Sequence, residues 1–134
     1  MDIFQKIIDK EIPAQIVYED ENFIAFLDIK PNNPGHTLLV PKKFSTNILD
    51  TDDQVLSVMA PLVKKIAKAV MIAGGYPAFN LGANNNPEAG QVVMRTHWHI
   101  IPRKAGDGLE MWHGHEYEPG EIEIMAQKIR DELK

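Results

Sequence analysis

The stretch TDDQVLSVMAPLVKKIAKAVMIAGG, residues 51–75, decides what kind of fold this chain can form. Its apolar residues recur every three or four positions, the spacing that places side chains on one face of an α-helix. These residues are Val55, Met59, Leu62, Val63, Ile66 and Val70. Thr51 or Asp52 can cap the first turn, and Gly74-Gly75 is typical of a helix end. The stretch therefore predicts one long helix with a single apolar face.

On both sides of this helix the sequence indicates β-strands, because runs rich in β-branched and aromatic residues alternate with turn residues. Strands are predicted at 15–19, 23–27, 37–40, 78–81 and 96–101. Short helices are expected at the two ends of the chain, at 2–10 and after Pro119. We therefore expect an α+β fold in which several strands run as hairpins and the long helix covers one face of the sheet.

The size and composition of the chain exclude several classes of protein. Its 134 residues, 44% hydrophobic and 25% charged, suit one globular domain over 1–134, with a C-terminal extension at about 104–134 that ends in the final helix. The absence of cysteine excludes disulfides and thiolate metal sites. A net charge of −5 argues against general nucleic-acid binding. Neither a signal peptide nor a membrane-spanning run is recognisable, so we expect a cytoplasmic protein that binds no membrane.

Arg95-Thr96-His97-Trp98-His99 is the first candidate site. Residues two apart on a strand share a face, so Arg95, His97 and His99 would project together. Two imidazoles and a guanidinium suit a phosphate, because imidazole is a nucleophile near neutral pH and arginine carries a permanent charge. A polar surface edge and a zinc site at the histidine pair are the alternatives. No thiolate or obvious third ligand joins the pair, so we expect no metal.

Three further segments contain polar residues that could bind a ligand. His36 lies at a loop-to-strand junction, where a histidine is either functional or a surface turn residue. The loop at 84–91 carries amides that could donate to phosphate oxygens, and is otherwise a polar turn. His113 and His115 flank a glycine, for which a mobile turn is the preferred interpretation.

Several of these segments together resemble the histidine triad family of nucleotide hydrolases and transferases. The signature of that family is three histidines alternating with apolar residues, and GQVVMRTHWHIIPR at 90–103 is similar to it. Further similar segments are IFQKII at 3–8, EIPA at 11–14, AFLDI at 25–29 and PGHTLLVPKK at 34–43. The resemblance covers about residues 1–103. It implies an antiparallel sheet of about five strands packed on one long helix, and a homodimer in which two sheets join.

The resemblance also implies roles for individual residues. His97 would attack the α-phosphate of a nucleotide derivative, and water would then release a nucleoside monophosphate from the nucleotidyl-histidine intermediate. His99 would contact the phosphate oxygens, His36 would close on them, and Asp28 would bind the ribose hydroxyls. The other matches are Phe4, Ile7, Phe26 and Ile29 around a purine base, and Asn84 and Gln91 around the phosphate.

The chain departs from the family pattern at three positions. Arg95 replaces the first histidine of the triad, Phe44 replaces another histidine, and Val92 replaces a serine near the scissile bond. Arginine cannot shuttle protons, so we expect Arg95 to clamp the phosphate and to lower the pKa of His97 through its charge. Because His97 and His99 are both present, we expect that catalysis is retained.

These observations predict a hydrolase or transferase without a cofactor. It would act at the α-phosphate of dinucleoside polyphosphates or nucleoside phosphoramidates. One alternative is a protein that binds purine nucleotides without turnover. A zinc-binding interaction module is the third option.

Overall fold

In the computed structural model, which describes residues 2–134, five strands form one antiparallel sheet. The strands are β1 (Ile16–Glu19), β2 (Phe23–Leu27), β3 (Thr37–Pro41), β4 (Ala78–Gly82) and β5 (Trp98–Arg103). The helices are α1 (Ile3–Ile8), α2 (Asp53–Gly74) and α3 (Glu121–Glu132), with single 3-10 turns at Ile48–Asp50 and Pro87–Ala89. The strand order β1-β2-β3-β5-β4 places β1 and β4 at the edges. The predicted α+β fold is confirmed.

Helix α2 packs across one face of the sheet through the apolar stripe that the sequence predicts. Four residues of the stripe are buried, and those at its two ends, Val55 and Val70, are half-buried. The buried members are Met59, Leu62, Val63 and Ile66, and they pack with Phe23, Ala25, Leu39 and Ile100 of the sheet. Burying each large apolar side chain contributes about 1.5–3 kcal/mol, so this layer is the main source of stability. The stripe therefore covers the sheet of its own chain.

Helix α1 packs on the opposite face of the sheet. Phe4 and Ile7 are buried there. They lie in a cluster with Ile24, Phe26, Leu38 and Val40. The carboxylate of Asp2 caps the helix, because its Oδ1 accepts a hydrogen bond of 2.8 Å from the main-chain N–H of Gln5. Both faces of the β1–β3 part of the sheet are thus covered, and α1 places Phe4 beside the histidines of β5.

The segment before β5 differs from the sequence-based expectation. The strand begins at Trp98, whereas the prediction placed its start at residue 96. The main-chain N–H of Thr96 donates to the carbonyl of Ser45 at 2.8 Å, and its hydroxyl lies 3.1 Å from that of Thr51. These contacts draw the segment toward the loop at 45–51 instead of into the sheet. Neither Arg95 nor His97 therefore belongs to the strand, and the predicted common strand face for Arg95, His97 and His99 is wrong.

The C-terminal segment follows β5 along the surface. Residues 104–120 form no helix or strand, and α3 begins at Glu121, two residues after the proline that predicted it. Arg103 anchors the start of this segment through a 2.7 Å contact between its Nε and the carboxylate of Asp107. The apolar side chains of α3 are exposed. Among the described residues, none of the helices has both the length and the hydropathy of a membrane-spanning segment.

Candidate functional site

Strand pairing brings two of the histidines together. His99 on β5 lies directly opposite Leu38 on β3, so both side chains point to the face that carries α1. His36 comes one residue before β3, after a turn in which Gly35 has a φ of +102°. A side chain is disfavoured at Gly35, since this φ is rare for residues with a Cβ and an added Cβ would lie 3.3 Å from Cγ1 of Val70. The turn therefore fixes where His36 enters the site.

Three imidazoles and one phenyl ring form a continuous row. The ring centroids of His36 and His99 lie 5.2 Å apart, those of His99 and His97 5.0 Å, and those of His97 and Phe4 4.9 Å. Nε2 of His36 lies 2.9 Å from Nδ1 of His99. His36 is buried, whereas His97 and His99 are half-buried.

Hydrogen bonds to the main chain and between the rings determine which nitrogen of each imidazole carries the proton. The N–H of Asn32 can only donate, so Nδ1 of His36 is the acceptor at 3.1 Å and the proton of neutral His36 lies on Nε2. That proton is donated to Nδ1 of His99, which leaves the proton of His99 on its own Nε2. Nδ1 of His97 lies 2.7 Å from the carbonyl of Arg95 and must donate to it. The Nε2 lone pair of neutral His97 is therefore free of any partner within residues 2–134.

The surroundings of the row keep the imidazoles neutral. Burial lowers the pKa of His97 and of His36 below its usual range, although the nearby carboxylate of Asp28 opposes this. Burial, together with repulsion from the other two imidazoles, lowers the pKa of His99 to about 4. Oδ2 of Asp28 lies 3.9 Å from Nε2 of His36. Among the described residues, Asp28 is the only carboxylate that affects the pKa of these three histidines. Near pH 7 the site thus presents one free lone pair and one free N–H.

The same groups also offer possible metal ligands. One ligand atom each from Asp28, His36 and His99 lies within 4.8 Å of the others. However, Nε2 of His36 carries the proton in the observed hydrogen-bond arrangement. Ligation through Nε2 would require the proton to move to Nδ1, where the N–H of Asn32 already donates. The arrangement fits a hydrogen-bond chain better than a metal site.

The positions expected around a base are only partly brought together. Phe4 contacts both His97 and Phe26, with its ring centroid 5.4 Å from that of Phe26. Phe4, Ile7 and Phe26 are 3–7% exposed, so they offer a ligand only their edges. Ile29 is 87% exposed in the loop that follows Asp28. Asp28 itself is half-buried, and its Oδ1 accepts a hydrogen bond from the main-chain N–H of Lys30.

Arg95 does not project with the two imidazoles. It is 1% exposed, and its Nη1 donates to Oε1 of Gln5 at 2.6 Å and to Oδ2 of Asp2 at 3.4 Å. Its Nη2 donates to the carbonyls of Pro41 and Lys42 at 3.2 and 2.8 Å. The expected phosphate clamp at Arg95 is therefore contradicted, because the side chain is buried and both of its Nη atoms donate to protein oxygens. The pKa of His97 is lowered as expected, but burial is the cause and not the charge of Arg95, whose carbonyl raises that pKa by accepting a hydrogen bond.

Two other expected phosphate contacts are corrected by the structure. Gln91 is buried, and its amide group donates to the carbonyls of Thr46 and Val93 and accepts from the main-chain N–H of Asn86. It holds the loop at 84–91 in shape and has no free donor. Both ring nitrogens of His36 are occupied as well, so His36 orients His99 instead of closing on the phosphate.

A cleft of about 720 Å³ lies beside His99. The polar part of its lining includes Asn32, Asn80 and Asn84, so Asn84 remains next to the candidate site. Met111 and Trp112 also line the cleft, and the sequence did not predict them. The sequence feature that could have indicated them is Trp112, a large aromatic residue in a segment rich in glycine and charged residues. His113 and His115, interpreted as turn residues, are exposed in the same segment.

Comparison with known proteins adds a family assignment to this geometry. Residues 9–106 match the HIT domain. The adenosine 5′-monophosphoramidase hnt1 of Schizosaccharomyces pombe is 34% identical, over 98% of this chain and 98% of its own length. The adenylylsulfatase HINT3 of Arabidopsis thaliana is 41% identical, over 80% of this chain and 54% of its own length. The crystal structure of a HIT family protein from Bacillus subtilis has a TM-score of 0.88 and 36% identity, over 99% of this chain and 97% of that one.

Proposed function

The chain belongs to the HIT domain family, and we propose that it hydrolyses or transfers nucleoside phosphate derivatives at the α-phosphate, releasing a nucleoside monophosphate. The observation that carries this proposal is the free Nε2 lone pair of His97 beside the N–H of His99, which no group among the described residues accepts. A nucleophile next to a hydrogen-bond donor is what attack on a phosphate requires.

In the first step, Nε2 of His97 attacks the α-phosphorus. A P–N bond forms to the imidazole, the bond from phosphorus to the leaving group breaks, and the leaving group departs with the electron pair. The imidazole then carries a positive charge, and its Nδ1–H donates to the carbonyl of Arg95. That carbonyl stabilises the developing charge without any rearrangement. In the second step, a water oxygen attacks phosphorus and the bond to His97 breaks. Over both steps the water supplies the oxygen of the monophosphate and the proton of the leaving group.

The neighbouring residues support this reaction through position and charge. The Nε2–H of His99 would donate to a phosphate oxygen as negative charge moves onto it. His36 holds His99 in the tautomer that provides this donor. Because burial keeps all three pKa values low, His97 is an unprotonated nucleophile at neutral pH.

The nucleoside and the leaving group of the substrate would lie on different sides of the phosphate. We place the base near Phe4 and Ile29 and the ribose hydroxyls near Asp28, whose carboxylate accepts hydrogen bonds. The leaving group would enter the cleft beside His99, next to Asn84. The names of the two relatives describe an adenylyl group on sulfate or on an amine, so adenosine derivatives are the first compounds to test.

A substrate panel tests the proposed function directly. The protein is incubated with adenosine 5′-phosphoramidate, adenosine 5′-phosphosulfate and a diadenosine polyphosphate, and release of AMP is measured. We expect AMP from at least one of them, and after rapid alkaline quenching a covalent adenylyl adduct on the wild-type chain that is absent from His97→Ala. Tight nucleotide binding with no AMP from any compound would overturn the proposal and support a binding protein without turnover.

We also propose that the chain forms a homodimer through the β4 edge. Among the strands of residues 2–134, β4 pairs with β5 alone, and Phe79 and Leu81 on it are 37% and 49% exposed. An unpaired edge of this kind can bind another strand. Sedimentation at micromolar concentration should give a dimer mass, and Leu81→Lys should shift it toward the monomer. A monomer mass for the wild-type chain would contradict the proposal.

A further inference from the structure

Arg95 connects the N-terminal helix to the end of β3, although it lies far from both of them in the sequence. One guanidinium nitrogen donates to side chains at the start of α1, Asp2 and Gln5. The other donates to the carbonyls of Pro41 and Lys42. A planar guanidinium with two divergent pairs of donors can join these four oxygens at once, whereas a single ammonium cannot reach them all with the same geometry.

The partners of Arg95 are themselves fixed in orientation. The Asp2 carboxylate accepts from the N–H of Gln5 through its second oxygen, so one side chain caps α1 and binds Arg95. The amide of Gln5 donates to Asp9 at 3.0 Å, which turns its Oε1 toward the guanidinium. The ring of Phe44 lies 5.5 Å from Cζ of Arg95 and shields it from solvent. Both Nη atoms of the guanidinium donate to protein oxygens, and its Nε is buried without a partner among the described residues. The side chain therefore has no exposed donor for a phosphate.

Both ends of Arg95 reach the surroundings of His97. Its side chain holds α1, and α1 presents Phe4 edge-to-face against the His97 imidazole. Its main-chain carbonyl accepts the Nδ1–H of the same imidazole. One residue thus sets the tautomer of His97 and the packing of its ring.

We propose that Arg95 is a positioning residue that holds His97 with its proton on Nδ1 and its Nε2 free. The inference rests on the proposed role of His97 as the nucleophile. Arg95 acts through α1 and its own carbonyl and does not touch the substrate. Arg95, which replaces the first histidine of the family signature, therefore orients the nucleophile without contacting the substrate.

The test compares Arg95→Met and Arg95→Lys with the wild-type chain and with Ser45→Ala as a matched control. Ser45 is buried near the same segment, and its hydroxyl bonds to those of Thr51 and Thr96. Its loss therefore loosens the segment that contains Arg95 and His97 but removes no contact of α1, of the guanidinium or of the His97 ring. Three properties are measured: the ¹⁵N shifts of the His97 ring, hydrogen exchange of the α1 amides, and turnover of the best substrate in the panel. The ring shifts report the tautomer whether or not the protein is active.

We expect the wild-type His97 ring to show the Nδ1–H tautomer alone. Arg95→Met should populate the Nε2–H tautomer, speed exchange in α1 and lower turnover by about tenfold to a hundredfold, the effect of small misplacements in a site. Arg95→Lys should fall between Arg95→Met and the wild type. Ser45→Ala should lower the melting temperature but leave the tautomer unchanged.

The inference is overturned if folded Arg95→Met or Arg95→Lys keeps the single Nδ1–H tautomer and the wild-type protection of α1. It is also overturned if Ser45→Ala changes the tautomer as much as the Arg95 variants do, because Arg95 would then contribute only to stability. If the wild-type chain turns over nothing in the panel, the proposed function fails, while the ring shifts and the exchange rates still decide the role of Arg95.

Discussion

His36→Leu isolates the contribution of the buried imidazole that touches no substrate in our mechanism. His36 donates from Nε2 to Nδ1 of His99 at 2.9 Å, and leucine fills a similar volume without donating. Nδ1 of His99 would lose its partner, which costs about 1–3 kcal/mol for a buried polar group. If that energy fixes His99 in its donating tautomer, kcat/KM should fall by about 5- to 150-fold, at about 1.4 kcal/mol for each factor of ten.

The same variant should change the titration of His99. Repulsion from His36 is one of the causes that lower the pKa of His99 to about 4, so that pKa should rise in His36→Leu. Steady-state kinetics and an NMR titration of the imidazoles measure the two effects. His113→Leu is the matched control, since His113 is exposed in the C-terminal segment. A folded His36→Leu variant with kcat/KM within twofold of wild type (about 0.4 kcal/mol) would refute the orienting role.

Four other predictions concern residues of the same site. His97→Ala should abolish turnover, measured as AMP release, but leave nucleotide affinity within a few-fold, because the base and ribose contacts lie elsewhere. Asp28→Ala should weaken ribonucleotides much more than 2′,3′-dideoxy analogues, and equal losses in a binding titration would place Asp28 outside the ribose site. The folded state lowers the pKa of His99 from 6.5 to about 4, so the unfolded chain binds more protons in this range and the free energy of unfolding should fall as pH drops from 6.5 toward 4. Denaturant titrations across that range would show it, and a rise would contradict the buried neutral row. Arg95→His should leave the ratio of polyphosphate to phosphoramidate turnover unchanged, since the guanidinium faces α1.

The secondary structure was largely predictable because its signals are local. The apolar residues from Val55 to Val70 recur every three or four positions, and this spacing alone predicts which face of the helix is buried. The start of β5 was not predictable in this way. It depends on hydrogen bonds between Thr96 and the loop at 45–51, at least 45 positions away, and no short window of sequence contains both partners.

The candidate site was predictable only in part for the same reason. Alternation correctly placed His97 and His99 close together, although His97 precedes the strand. The contact of His36 with His99 joins residues 63 positions apart, so the grouping came from the family resemblance and not from spacing. Alternation failed for Arg95, because a residue before the strand is free to turn its side chain elsewhere. Its partners Asp2 and Gln5 lie more than 80 positions away.

The bond from Asn32 to His36 gives the row of histidines a fixed polarity. A main-chain amide does not lose its proton at any pH at which the protein stays folded, so the chain of donors runs in one direction only, from Asn32 through His36 to His99. Reversing it would place two N–H groups head to head. The row therefore cannot carry a proton back from the phosphate into the protein interior. It acts as a static electric dipole with its positive end at the Nε2–H of His99, and it is in place before any nucleotide binds.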